Sequence, residues 1–477
     1  MRREVPGVAP LDSPVDLLDH EPTILVQAMI RRTVTTGIAL FSLVVAAMAA
    51  EAPPQASRED ASTESVTFHR DVEPILQKHC QTCHRPGEIA PMSLMTFEAA
   101  RPWARAMKSQ VLTREMPPWY ADPTIGRFRN ERSLTQREIN ALVTWADTGA
   151  PRGSANDAPP PVTFPDGWEI EPDIIVDVPP FDVPARGIME WTTVAMPSGF
   201  TSDTWVTSIE IRPSERSVAH HICFGVRAHR EGVAYYTPVA NVIARDSDGA
   251  ALPRGRGSAA SGGLGFDACY LPGSGALDLS HSNSAKLIPA NSDFVVQVHY
   301  TTTGTPVTDR PRIGMTVARK KPTRLFVTYA AAPTTGTSAD RFRIPAHEPH
   351  YESVFEATVM HYAELVWMLP HMHLRGKDMT WTVRFPDGRE QVVLHNDRFD
   401  YSWQIGYEPA KPIRLPKGST LYVVGHHDNS TNNRFNPNPD TDVYYGDQAW
   451  EEMMSPWFGL VVSTDVDPQS LLELARP

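Results

Sequence analysis

"ELVWMLPHMHL", residues 364–374, alternates apolar and other side chains through Leu365, Trp367 and Leu369 and closes on two histidines one residue apart. Alternation of period two marks a β-strand, in which residues i and i+2 share a face. His371 and His373 therefore project side by side from one surface. Two neutral imidazoles at that spacing can grip one metal ion, but two ligands do not make a stable site. The rest of the ligand set has to come from elsewhere in the chain.

Outward from this stretch, the texture from about residue 164 to the end is the same. Short β-branched and aromatic runs, among them "DIIVDV", "TWVTSIEI", "DFVVQVHY", "RLFVTY", "TWTVRF" and "TLYVVGHH", are separated by Pro, Gly, Asn and Asp. Proline makes up 44 of the 477 residues, well above the usual ~5%. The pattern implies antiparallel sandwiches or jelly rolls. Some 300 residues are long for one sandwich, so two are expected, residues 164–325 and 326–467, joined near "RPRIGMTVARKKPTRLFV".

The N-terminal third reads differently. Residues 66–150 carry helical periodicity. "RDVEPILQKHC" places Val72, Ile75 and Leu76 on one face. "LTQREINALVTWADTG" holds a Thr135-to-Glu138 capping box, a stripe of Ile139, Leu142 and Trp145, and Gly149 as a stop. Within this region "KHCQTCHRPG" contains Cys80-x-x-Cys83-His84, the pattern by which two thiols attach a c-type haem and the adjacent histidine ligates its iron. A methionine opposite that histidine raises the haem potential. Met92, Met95, Met107 and Met116 are candidates, and Met116 in "REMPPWY" is chosen. The expected architecture is thus a small all-α cytochrome c domain followed by two all-β jelly-roll sandwich domains. Polar stretches at 51–65 and 151–163 read as linkers.

Charge and targeting narrow the function. A net charge of -12 argues against nucleic acid or an anionic membrane surface as partner. Residues 1–50 read as a leader: Arg31 and Arg32 precede an apolar run through Val45, and Ala47-Met48-Ala49 fits a signal-peptidase site. Translation is expected to start at Met29, and the mature protein to be exported to a periplasm. A membrane contact is expected only if the leader is retained. Of four cysteines, Cys223 and Cys269 are left over from the haem motif. In an exported chain they are expected to form a disulfide.

Four stretches now stand together: "SVAHHICFGV" with His220 and His221, "DFVVQVHYTTTG" with His299, "LPHMHLRG" with His371 and His373, and "YYGDQAWEEMMSPWFG" with Met453 and Met454. An isolated HH or HxH is weak. The four in this order resemble the copper type II, ascorbate-dependent monooxygenases, the family of peptidylglycine α-hydroxylating monooxygenase and dopamine β-monooxygenase. The resemblance spans roughly residues 165–465, and a haem motif in front resembles bacterial members.

The resemblance implies a three-histidine copper at His220, His221 and His299. It implies a second copper at His371, His373 and Met453, with Met454 in reserve. Thioether and imidazole ligands favour Cu(I) over zinc; three histidines alone would equally suit catalytic zinc. On a regular strand His220 and His221 face opposite ways, so sharing one metal demands irregular backbone. His426 and His427 are read as structural.

In the peptide-amidating members an arginine two residues before the HxH, and a tyrosine four after the ligand methionine, hold the substrate carboxylate. Here those places are Leu369 and Trp457, so an apolar small substrate is expected. The implied activity is hydroxylation of a C–H bond with O2 by a dicopper monooxygenase. Electrons would enter through the covalent haem from a periplasmic cytochrome, a quinol chain or a small reductant. The rival is a non-enzymatic haem and copper electron-transfer or copper-binding protein.

Overall fold

A computed structural model describes residues 65–164, 167–240, 266–333 and 342–475. The leader, its cleavage site and nearly all of the first expected linker lie outside the described residues. No helix among the described residues is long and apolar enough to cross a membrane.

Two pairs of antiparallel sheets build most of the molecule. In the first pair, one sheet runs Ile174–Asp177, Arg312–Val317, Thr204–Arg212, the last also pairing Leu277–Asp278 and Lys286–Ile288. Its mate runs Val239–Ala240, Thr192–Pro197, Ser292–Tyr300, Ala219–Ala228, Ala268–Tyr270. Between them lies a core that includes Val194, Ile209, Ile222, Phe224, Phe294 and Val296. In the second pair, Arg324–Ala330, Ser455–Ser463, Ala363–His371 and Ile413–Leu415 face Glu390–Asn396, Gly376–Arg384, Thr420–His427, Tyr351–Val359 and Leu472–Leu474. Phe355, Met368, Trp381, Val423 and Phe458 fill the space between.

The strand Ser292–Tyr300 is buried along its whole length. Phe294, Val296, Val298 and Tyr300 enter the first core. Gln297 and His299 alternate onto the opposite face, yet are also buried. That face is covered because the second sheet pair lies against it. Cys223, Leu369 and Trp457 form a small apolar cluster there with Cys269, Phe266 and Trp367, joining strands from both pairs. The Cys223–Cys269 disulfide, 46 residues apart in sequence, is formed.

The expected first domain is corrected. Among the described residues α-helix is confined to Glu73–His79, Phe97–Ala100, Ala104–Leu112 and Gln136–Asp147, segments of 7, 4, 9 and 12 residues. Helices this short are marginal on their own and depend on packing. The Thr135–Glu138 capping box forms, and Ile139, Leu142 and Trp145 are buried against Phe68 and Leu76. But residues 66–150 are not a free-standing all-α cytochrome c domain.

Trp119, Tyr120, Ala121 and Phe128 leave the helices and enter the core of the second sheet pair. Ala121 bridges Asn396 and Phe128 bridges Pro409. Arg85 and Arg216 share Glu88, and the Arg132 guanidinium donates to the Gly273 carbonyl. Residues 64–477 accordingly form one compact unit. The β content is compatible with sandwiches; the separate helical domain is what fails. The segment 151–163 runs along the helices, with Pro151 O accepting from Phe68 N and Trp145 Nε1.

Candidate metal centres

A β-bulge solves the problem posed by adjacent histidines. His221 pairs with His299, but Ala219 pairs with Tyr300, so His220 is the extra residue in its strand. A bulge bends the strand and re-aims the side chain. His220 Nδ1 consequently stands 3.3 Å from His221 Nδ1 and 3.3 Å from His299 Nδ1. Two nitrogens bound to one ion at ~2.0–2.1 Å and a tetrahedral angle are themselves ~3.3–3.4 Å apart. A candidate ligand nitrogen on each of the three residues lies within 4.8 Å of the others.

The second group grows from strand register. His371 pairs with Ser455, Pro370 with Pro456 and Leu369 with Trp457. The ladder ends there, and His373 and Met453 lie just beyond it, joined through Glu452 Oε1, which accepts from the backbone N–H of both. Met454 points into the core: a Cβ on Gly425 would meet its Cγ at 3.0 Å, with Met372 and Met379 close by.

The ring nitrogens are assigned by their neighbours. His371 Nδ1 donates to Gln404 Oε1 at 2.5 Å, and His373 Nδ1 donates to the Glu451 carbonyl at 3.3 Å. Both Nε2 atoms are buried and unpartnered. A buried polar atom without a partner costs about 1–3 kcal/mol, a cost that one metal ion held by both nitrogens would remove. Orientation of ligand imidazoles through the far nitrogen is how protein metal sites are usually built.

Burial keeps all five rings neutral. It lowers His220 to about 4 and His371 to about 4. His299 falls to about 3 through burial and then through His220. His221 and His373 lie well below the ordinary histidine value, again mainly from burial. Neutral imidazole is the ligating form.

One carboxylate fixes the second group's backbone. Glu452 is fully buried. Its Oε1 accepts from His373 N and from Met453 N at 3.0 Å, and its Oε2 accepts from Arg375 N at 2.8 Å. Burial pushes this carboxyl up to about 7, against the pull of those three N–H groups and of Arg375. His427, with no exposure and both ring nitrogens unpartnered, has Nδ1 3.9 Å from Glu452 Oε1. His426 is engaged by Asp378 Oδ1 at 2.6 Å.

Several of these residues carried no sequence signal. Glu452 sits beside Met453 but is one acid among many, and Gln404 lies in an unrelated segment. Leu369 and Trp457 are 2% and 8% exposed, so they wall the site rather than line an open pocket. The Trp457 ring centre is 5.3 Å from that of His371.

At the haem motif, Cys80 and Cys83 are free thiols, and burial pushes Cys80 up to about 12. His84 N and Cys83 N both bond the Cys80 carbonyl, so the two thiols lie within one turn. His84 Nδ1 is 3.3 Å from the Met92 carbonyl, which leaves Nε2 for a ligand. Met92 thus meets the motif through its backbone. Met116 lies after the third helix, with its N–H on the Gln110 carbonyl. Met95 is half-buried, and Met107 belongs to the helical core.

No protein-family model and no curated protein sequence matches the chain. Solved structures give only distant likenesses. An infectious bursal disease virus structure is 10% identical over 65% of this chain and 77% of its own, with a TM-score of 0.18. PNGF-II is 10% identical over 61% and 59%, with a TM-score of 0.19. A Paenibacillus xanthan lyase is 8% identical over 67% and 29%, with a TM-score of 0.15. At those scores none bears on fold or function, and the site's chemistry rests on its own residues.

Proposed function

We propose that this protein is an exported two-copper monooxygenase that hydroxylates a C–H bond of a small apolar substrate, with electrons entering through a haem held by Cys80, Cys83 and His84. The observation that carries the reading is the pair of buried, unpartnered Nε2 atoms of His371 and His373, beside a Met453 whose backbone shares Glu452 with that of His373. Two imidazoles and a thioether select a soft ion such as Cu(I). The second set, His220, His221 and His299, has the nitrogen spacing of a single-ion site. Copper at both sets would supply one-electron storage at each and O2 chemistry at the softer one.

The chain's own residues do the rest. Gln404 and the Glu451 carbonyl hold the far nitrogens of His371 and His373, so each ring offers a fixed lone pair. Glu452 holds the backbone of His373 and Met453. Burial keeps every imidazole unprotonated, so no proton has to leave before a metal enters. Trp457, Leu369 and the neighbouring disulfide form an apolar wall beside His371. Leu369 and Trp457 themselves carry no charge to hold a carboxylate, which supports an apolar substrate.

For the haem, two thiols within one turn and a histidine whose Nδ1 is already occupied are the donors required. The group would supply one-electron transfer. An exported location is supported by the disulfide, which persists in oxidising compartments.

The test is isotopic. Copper-loaded, reduced protein is offered a benzylic C–H probe under 18O2. One 18O atom in an alcohol product per two electrons supports the reading. Electron consumption with no labelled alcohol, across a set of apolar probes, favours simple electron transfer.

A further inference from the structure

Two aromatic rings stand between the two histidine sets, and Trp191 makes the closer approach. Trp191 is 3% exposed, and its ring centre lies 4.3 Å from that of His221 and 5.4 Å from that of His299. It also lies 5.9 Å from His371 and 5.7 Å from His373. The same indole therefore touches both sets. Register explains half of this: Val298 pairs with Thr192, and one step further His299 stands opposite Trp191. The other half comes from the second sheet pair. Gln448 Oε1 accepts the Trp191 backbone N–H at 3.2 Å, and Gln448 N itself bonds Glu451 Oε2 in the turn that precedes Met453.

Tyr401 closes the far side. Its ring stacks 5.5 Å from His220 and stands 6.0 Å from His373. The buried Trp191 Nε1 is directed at the buried Tyr401 hydroxyl, so the polar edges of the two rings meet between the histidine sets.

We propose that Trp191 is a positioning residue that partitions the two metal ions, keeping each on its own ligands and excluding any bridging group between them. This rests on the two-copper reading above. The physical reason is simple. An indole has no lone pair to offer a metal and fills the space that a water or hydroxide would otherwise occupy. A site with that space open would let one oxygen bridge both ions, and bridged Cu(II) ions pair their spins. With the ring in place the two ions act as independent one-electron stores.

The experiment reads spin, not turnover. Full-length protein loaded with Cu(II) is assayed for copper content and for integrated electron paramagnetic resonance intensity. Wild type is expected to hold two coppers and show two isolated spins per chain, without a half-field line. Trp191→Phe keeps a ring and is expected to match it. Trp191→Ala is expected to hold two coppers but lose half or more of the spin intensity, with a half-field line or a silent pair. Two full, isolated spins in Trp191→Ala overturn the partition. So does a coupled pair in wild type, which needs no variant to fold. Fewer than two coppers in wild type overturns the two-copper reading itself, which is a separate result.

Discussion

Above about pH 7, where its carboxyl is ionised, replacing Glu452 by Gln removes one charge and changes almost no volume, so its effect isolates what the carboxylate holds. Three backbone N–H groups, from His373, Arg375 and Met453, converge on it. An amide can keep its oxygen on the His373 and Met453 donors only by turning its NH2 toward Arg375 N. The two bonds kept fall from charge-assisted to neutral strength, a loss of about 1 kcal/mol each. The Arg375 N–H, facing a donor, loses about 1–3 kcal/mol more.

Arg375 itself is 2% exposed, and Glu452 is the carboxylate that offsets its charge. Its remaining contacts, Asn429 Oδ1 and the Trp450 carbonyl, are neutral. The substitution is thus expected to cost about 3–5 kcal/mol in stability. It should also weaken Cu(I) at His371, His373 and Met453 by roughly 10–100-fold, the usual effect of losing a ligand's support. The three-histidine group makes no bond to Glu452 and should keep its affinity. Competition titration against a chromophoric Cu(I) chelator separates the two affinities, and a thermal melt gives the stability. Two unchanged affinities and an unchanged melt would refute the clamp.

Met453→Ala should remove the soft-metal site while leaving the three-histidine ion, whereas Met454→Ala, a core truncation, should cost ~2–5 kcal/mol and keep both ions; the reverse pattern on metal analysis moves the ligand by one residue. Apo-protein stability should fall as pH drops from about 6.5 toward about 4. His220, His299 and His371 have folded pKa values below the unfolded one, so their stabilisation is present above the unfolded value and is lost on acidification. Glu452, raised to about 7, acts in the opposite sense as a single group, losing stability as pH rises through that value; thermal melts of apo protein across this range read the balance. Calorimetry at pH 6 in buffers of different ionisation enthalpy should find almost no proton released on metal binding, where five exposed histidines of pKa ~6.5 would release nearly four. Loss of the disulfide in Cys223→Ser should cost about 4 kcal/mol for a bridge across 46 residues, read as a lowered melting temperature against a wild type that carries no free thiol at these positions.

How much was legible follows the range of the interactions. Alternation over 292–300 and 364–371 is local, and it gave both strands; the faces are less regular, since a register shift between Leu365 and Trp367 breaks the second one and His373 lies past its end. The demand for irregular backbone at His220 and His221 was also local, and the bulge supplies it. Periodicity identified the Gln136–Asp147 helix and its cap. It could not show that "WYADPTIGRF" between helices, with Trp119, Tyr120 and Phe128, would leave the helical core for the second sheet pair. That long-range burial is what dissolves the expected separate domain. The same limit hid Gln404, Glu452, Tyr401 and Trp191. Each acts through a partner dozens to hundreds of residues away, and of the four only Glu452 lies in one of the quoted stretches, where nothing local marks it out. His427, read as structural, is buried beside Glu452 with both nitrogens unpartnered, a fact that no reading of "VVGHH" alone contains.

The central claim is that six residues hold two copper ions, five through imidazole and one through a thioether. Copper K-edge X-ray absorption on the reduced protein, with the copper content measured on the same sample, addresses it directly. The account predicts two coppers per chain, a scattering shell with about one sulfur for every five imidazole nitrogens, and loss of the sulfur alone in Met453→Ala. A single metal per chain, bound zinc in place of copper, or a sulfur shell that survives Met453→Ala would contradict it.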